Sequence, residues 1–342
     1  MIKIDGSFGE GGGQIIRTAI ALSVITQKPC HIFNVRQKRE NPGLKTQHLI
    51  SIEASREISN GKTEGVFLNS KEIFFYPGKE RKRKIHLKIP TAASITLLLQ
   101  TILPIALFSP YPVEISIDGG ATDTFFSPTL DYFRNIFLQT LKKIGGATSI
   151  EVKKRGFYPE GGAKIKVEIY PIKEIAPFEI IERGNLEKIS IYSGASKILE
   201  GRKVSQRQIS GAKEIIGKLK LPIEERINYF PTSSPGSYIC ITAKFQNTIL
   251  GTDNLGKIGK SAELIGREAA AELLKEESRK ASLDKHLVDQ ILIYMALSKG
   301  KCRISTPEIT QHARTNMEII RKFIKGRFEI KDNIISWIPF SS

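Results

Sequence analysis

The chain has 342 residues, 40% of them hydrophobic and 25% charged, enough to bury a core and to form about two domains. No apolar run reaches the roughly 18 residues of a membrane span, and the start Met1-Ile2-Lys3-Ile4 lacks the two-part pattern of an export signal, so a cytoplasmic protein is expected. Lys and Arg total 52 against 35 acids, a formal net charge of +17, which argues against an acidic or neutral surface and for polyanionic partners such as nucleotides or RNA.

A short strand at Ile2–Ile4 leads into a helix over 14–27, followed by a strand at 31–35. A helix over 43–59 and strands at 66–68 and 73–76 complete a first unit. A second has a helix over 92–108, a strand at 113–117, a helix over 128–144, and strands at 149–153 and 163–170. A third has a helix over 284–297, a strand at 302–305, a helix over 307–324, and strands at 328–330 and 334–337. Three helix–strand–helix–strand–strand units predict an α+β large domain of residues 1–184 plus 280–342 with pseudo-threefold character. Residues 185–279 break the count. With strands near 188–192, 238–245 and 248–252 and helices over 202–219 and 260–276, they read as a smaller inserted domain. Cys30, Cys240 and Cys302 form no C-x-x-C pair and suit buried thiols in a reducing compartment.

Four segments carry chemistry. Gly9-Glu10-Gly11-Gly12-Gly13-Gln14-Ile15-Ile16-Arg17 joins a strand to a helix, where backbone N–H groups meet an anion. It is neither a Walker A motif nor a dinucleotide turn, and Glu10 beside phosphates calls for Mg2+ or Mn2+ between them. A tight structural turn with an exposed Glu10 is an equal reading. Arg36-Gln37-Lys38-Arg39-Glu40-Asn41-Pro42-Gly43 leaves a strand end, with Gln47 and His48 about one turn into the next helix. Arginines there offer bidentate donors to phosphate. Arg155 to Gly162 reads first as a hairpin turn. Thr306-Pro307 opens a helix that places His312 five residues in, beside the apolar stripe Ile309, Ala313, Met317 and Ile320. Taken alone such a histidine is more often structural. The run Lys79 to Lys84 is a weaker candidate for backbone contacts, and Arg202, Lys203 and Arg207 read as a solvated helix face.

In order and together, these four segments resemble the RNA 3′-terminal phosphate cyclase family, over almost the whole chain. The matching blocks are Gly9–Arg17, Arg36–His48, Tyr158–Gly162 and His312–Asn316. The resemblance implies a large domain of three repeats like the C-terminal domain of translation initiation factor three, related to enolpyruvyl transferases. It implies an ATP-dependent enzyme that cyclises an RNA 3′-phosphate through a covalent AMP on His312. Gln100 and His286-Leu287-Val288-Asp289-Gln290 would then contact ATP, and Glu10 with Asp289 would hold the divalent metal. Arg17, Arg36, Arg39, Gln47 and His48 would line the phosphate and RNA-end site. Two positions depart from the family pattern: Ala163 where a third glycine is common, and His286 where a tyrosine stacks on adenine. Two rivals stand beside this reading, a non-catalytic cyclase-like RNA-binding protein in ribosome assembly and an enolpyruvyl transferase. Assembly into a homo-oligomer is left open.

Overall fold

Three times along the chain the order strand–helix–strand–helix–strand–strand recurs, and each time it builds a four-stranded sheet. The computed structural model describes residues 1–340. The first unit is β1 (Ile2–Asp5), α1 (Gly13–Thr26), β2 (Cys30–Phe33), α2 (Thr46–Ser59), β3 (Lys62–Glu64) and β4 (Ile73–Tyr76). The second is β5 (Lys84–Ser94), α3 (Ile95–Leu107), β6 (Val113–Ala121), α4 (Leu130–Tyr132), α5 (Leu138–Lys143), β7 (Ala147–Lys154) and β8 (Lys164–Tyr170). The third opens on β9 (Glu179–Ile180) and is then interrupted. The interruption is β10 (Leu186–Ser196), α6 (Val204–Ile216), β11 (Ile223–Phe230), β12 (Ser237–Phe245), β13 (Ile249–Leu255) and α7 (Ala262–Ser278). It resumes with α8 (Lys285–Ala296), β14 (Cys302–Ser305), α9 (Gln311–Phe323), β15 (Gly326–Lys331) and β16 (Ile334–Pro339).

The sheet orders are β1-β2-β4-β3, β5-β6-β8-β7 and β9-β14-β16-β15, with the first pair parallel and the others antiparallel in every case. Identical topology follows from identical patterning. In β8, Ile165, Val167 and Ile169 are buried while Lys164, Lys166 and Glu168 alternate outward, so one sheet face meets the helices. α1 packs on α2, α3 and α9, which draws the units around one continuous apolar core. The interruption has its own sheet, β11-β10-β12-β13, and its own core around Ile189, Ile191, Ile241, Ile209 and Leu273.

Buried polar joints tie the inserted segment to the rest. Arg155 donates to Asp123 (3.0 Å) and Asp131 (2.5 Å) and lies over the rings of Tyr238 (4.4 Å) and Phe230 (4.9 Å). Asp284 accepts from Tyr132 Oη at 2.6 Å, from Gly251 N at 3.3 Å, and from the first turn of α8, which it caps. The segment from Arg155 to Gly162 is therefore more than a hairpin turn. Phe157 packs where Gly236 has no side chain, and Glu160 N donates to Ser234 Oγ at 3.0 Å.

Several expected elements shift. Residues 66–68 form no strand; the strand that pairs with β4 lies instead at Lys62–Glu64, ended by Gly65 at φ +70. The helix over 128–144 is broken by a π-turn at Phe133–Phe137 between α4 and α5. The helix over 202–219 is flanked by 3-10 turns at Lys197–Arg202 and Gly217–Leu219. β9 and β11 were not anticipated from the sequence. α2 starts at Thr46, so Gln47 and His48 occupy its first turn. α9 starts at Gln311, because Thr310 and not Thr306 caps it, accepting from Ala313 N at 2.9 Å. That moves His312 from the second turn to the second residue of its helix.

Candidate functional site

The glycine segment between β1 and α1 folds against the start of α9. At Gly9 (φ +56) a β-carbon would fall 2.2 Å from Thr315 Oγ1, and at Gly13 one would fall 2.3 Å from His48 Nε2. Only glycine permits both approaches, and they bring Glu10, Arg17, His48 and His312 together. Glu10 Oε2 lies 3.0 Å from His312 Nε2 and 3.4 Å from an Arg39 amino group. The N-cap of α1, Gly12, makes no side-chain capping bond, so the first-turn N–H groups of α1 lack side-chain acceptors. With α2 and α9 also beginning here, positive helix ends converge on the same space.

The cations around it are short of acids. Among the described residues Arg17 bonds only Gln14 Oε1 (2.6 Å) and its buried Nε has no partner; desolvation pulls its pKa down to about 10. His48 is 4% exposed, and burial, then Arg17, Arg36 and Lys45, push its pKa to about 3. Its Nδ1 accepts from Lys45 N at 3.0 Å, which leaves Nε2–H as a donor beside Gly13. His312 is held below its ordinary range by burial first, with Arg17, Arg39 and His286 acting against the pull of Glu10. His312 thus lies beside one carboxylate, Glu10, in a surround otherwise weighted toward positive charge, a field that favours the uncharged imidazole.

Asp289 lies behind this cluster. Its Oδ1 accepts from Thr310 Oγ1 (2.9 Å), and its backbone carbonyl accepts from Asn316 Nδ2 (2.8 Å). Asn316 Oδ1 takes the Thr18 hydroxyl at 2.6 Å, locking α1, α8 and α9 together. Burial first, then the charges of Glu10 and Asp284, raise Asp289 to about 7. Gln100, Asp289, Gln290 and Arg17 line a void of about 20 Å3, room for a water, where Gln290 Oε1 is also unpartnered. Opening from His312 is a cleft of about 630 Å3 lined by His286, Pro128, Thr129, Tyr132, Asp253 and Lys260 among others, with Phe125 and Phe126 at its rim.

Not every expected residue reaches this site. Leu287 and Val288 are fully buried in the core on the inner face of α8 and present no side chain to the cleft. Arg36, at φ +53 in a turn, donates to the carbonyls of Asn41 (2.8 Å) and Gly43 (3.0 Å), so it staples its own loop while adding charge. Gln47 is half-buried beside His48. The basic run is largely tied down: Lys82 pairs Glu57, Lys84 pairs Glu114, Arg83 lies over Tyr111, and Arg81 bonds carbonyls of Gly78 and Val24. Arg207 is paired with Glu263. Sequence reasoning missed Asp253, Thr129, Tyr132 and Lys260. No single stretch brings them to His312: Thr129 and Tyr132 come from the start of α4 in the second unit, and Asp253 and Lys260 from the inserted segment docked across from it.

Among the described residues no three His, Cys, Asp or Glu side chains cluster as a ready metal cage, and no helix is long and apolar enough to cross a membrane. A sequence model of the RNA 3′-terminal phosphate cyclase family matches residues 8–330. A protein named RNA 3′-terminal phosphate cyclase from Pyrococcus furiosus is 42% identical over 334 residues, covering 98% of this chain and 96% of that one. One of the same name from Ignicoccus hospitalis is 38% identical over 330 residues, covering 95% and 93%. Of solved structures, an EPSP synthase from Acinetobacter baumannii superposes with a TM-score of 0.41 at 9% identity, over 100% of this chain and 48% of that one, a likeness too loose to argue from.

Proposed function

The chain belongs to the RNA 3′-terminal phosphate cyclase family, and on that premise we propose that it converts an RNA 3′-phosphate to a 2′,3′-cyclic phosphate with ATP. The observation that carries this reading is the placement of His312 in the first turn of α9, its Nε2 3.0 Å from Glu10 of the glycine segment that leads to Arg17, whose guanidinium pairs no acid among the described residues.

The imidazole lone pair of His312 attacks the α-phosphorus of ATP, an N–P bond forms, and pyrophosphate leaves. Glu10, 3.0 Å from the ring, offsets the positive charge that builds on it. Arg17, Arg39, His48 Nε2–H and the open N-terminus of α1 offer donors to the phosphate oxygens and the leaving pyrophosphate. An RNA 3′-phosphate oxygen then takes AMP from the histidine, giving an RNA-pp-A end. The neighbouring 2′-OH attacks the inner phosphorus, expels AMP and closes the ring. Proximity supplies much of that last step. In this reading the adenosine occupies the 630 Å3 cleft beside His286 and Pro128, with Gln100 and Gln290 near the phosphates.

In the same reading Glu10 and Asp289, whose charges act on one another, would hold Mg2+ or Mn2+, with the remaining ligands left to phosphate oxygens and water. Bound there, it would neutralise triphosphate charge. The test is incubation with ATP labelled at the α-phosphate and a divalent salt. Acid-labile, base-stable label is expected on the intact protein and none on His312→Ala. Unlabelled intact protein, or label persisting in the variant, would overturn the reading and leave a non-catalytic RNA-binding role.

A further inference from the structure

Across the joint from the cleft, between β7 of the second unit and β10–β11 of the inserted segment, lies a groove of about 330 Å3. Its lining carries Arg134, Lys153, Lys154, Arg155 and Arg226 against one acid, Asp131, and Asp131 is spent on Arg155. Arg134, Lys153 and Arg226 form no ion pair among the described residues. Other cations of the inserted segment do: Lys188 pairs Glu224 (2.9 Å), Lys213 pairs Glu225 (2.6 Å) and Arg207 pairs Glu263 (2.6 Å). Arg226 instead sits over the Tyr192 ring at 5.5 Å. Like charges gathered in one concavity repel, and they are satisfied together only by an anion with several charges.

We infer that this groove holds the phosphodiester backbone of the RNA upstream of its 3′ end, an inference that rests on the cyclase reading for the identity of the polyanion. The segment 128–135 links the two sites: Pro128, Thr129 and Tyr132 face the His312 cleft, while Asp131, Arg134 and Asn135 face the groove. One helical segment, about 10–12 Å across with side chains, therefore separates them, a distance a few nucleotides span. The groove is two-sided. The large domain gives Arg134 and Lys153, and the inserted segment gives Arg226 and Tyr192, so the insertion completes a strand-binding surface. Cations beside an aromatic face suit single-stranded RNA without sequence preference.

The test uses the full chain, a 3′-phosphorylated RNA 12-mer, its 3′-hydroxyl counterpart and inorganic pyrophosphate. In R134E/K153E/R226E, affinity for both RNAs should fall about 30-fold at 0.1 M salt, and the slope of log affinity against log salt should flatten by about 2. Labelling of His312 by ATP should be unchanged, as should competition by pyrophosphate. RNA affinity and slope that match the parent would overturn the groove, and so would an equal loss for pyrophosphate, which marks a small-anion site. If the triple variant does not label, Arg226→Glu alone carries the same measurement, with a slope change of about 0.7 expected. Absent label on the parent protein sinks the cyclase reading, whereas intact label with an unmoved salt slope sinks only the groove.

Discussion

His48 shows how the fold decides a charge state at the residue scale. Burial and then Arg17, Arg36 and Lys45 bring its pKa from 6.5 to about 3. The unfolded chain therefore takes up a proton near pH 6.5 that the folded chain refuses until about 3. A histidine depressed in this way leaves stability intact above pH 6.5 and erodes it as pH falls toward 3. At pH 4.5 the loss from this residue is on the order of 3 kcal/mol. His48→Gln retains a hydrogen-bonding side chain and removes the titration. Denaturant melts at pH 7.5 and 4.5 should show the parent losing more stability between them than the variant does. Equal losses would mean that His48 is protonated, or solvated, in the fold. Arg17 acts in the same direction on His312, so the two histidines share one positive field.

At the scale of elements, the site is a meeting of helix starts. α1 begins on Gly12 and Gly13 with no capping side chain, and His48 Nε2 fills the space a side chain at 13 would need. Gly13→Ala should keep the fold, as far-UV circular dichroism would report, and slow labelling of His312 by about 10–100-fold. Labelling at the parent rate would show that the His48–Gly13 approach is not used. This approach also marks the limit of what the sequence discloses. The glycine run, the strand-end arginines and the late histidine were readable as motifs, and the threefold repeat was readable from helix and strand periods. The family resemblance implied nucleotide contacts from the whole stretch His286 to Gln290, Leu287 and Val288 included. A helix turns 100° per residue, and that rotation sends both into the core. The start of α9 was misplaced because Thr306-Pro307 is a good local signal, whereas Thr310 is chosen by its tertiary bond to Asp289. β9 has two residues and exists only by pairing with β14, which no local pattern encodes.

At the scale of the molecule, the inserted segment enters between the first strand and first helix of the third unit, the position that the glycine segment holds in the first. Its seat is Arg155, a 5%-exposed guanidinium shared by Asp123 and Asp131 of the second unit and covered by Tyr238 and Phe230 of the insertion. Burial raises the pKa of Asp123, so its carboxylate depends on the arginine to stay charged. Removing the cation leaves two carboxylates buried side by side and detaches two aromatic rings from their partner. Arg155→Ala should therefore destabilise the protein by about 3–5 kcal/mol near pH 7.5. Protonation relieves orphaned carboxylates, so the gap to the parent should narrow as pH falls toward 4.5. Tyr132, Thr129 and Asp253 line the cleft beside His312 through the same joint, so if adenosine occupies that cleft as proposed, ATP should also protect the parent from heat more than it protects the variant. Thermal melts with and without ATP at the two pH values separate the outcomes. A gap that does not move with pH would place the defect in lost packing against Tyr238 and Phe230, with the carboxylates reached by solvent.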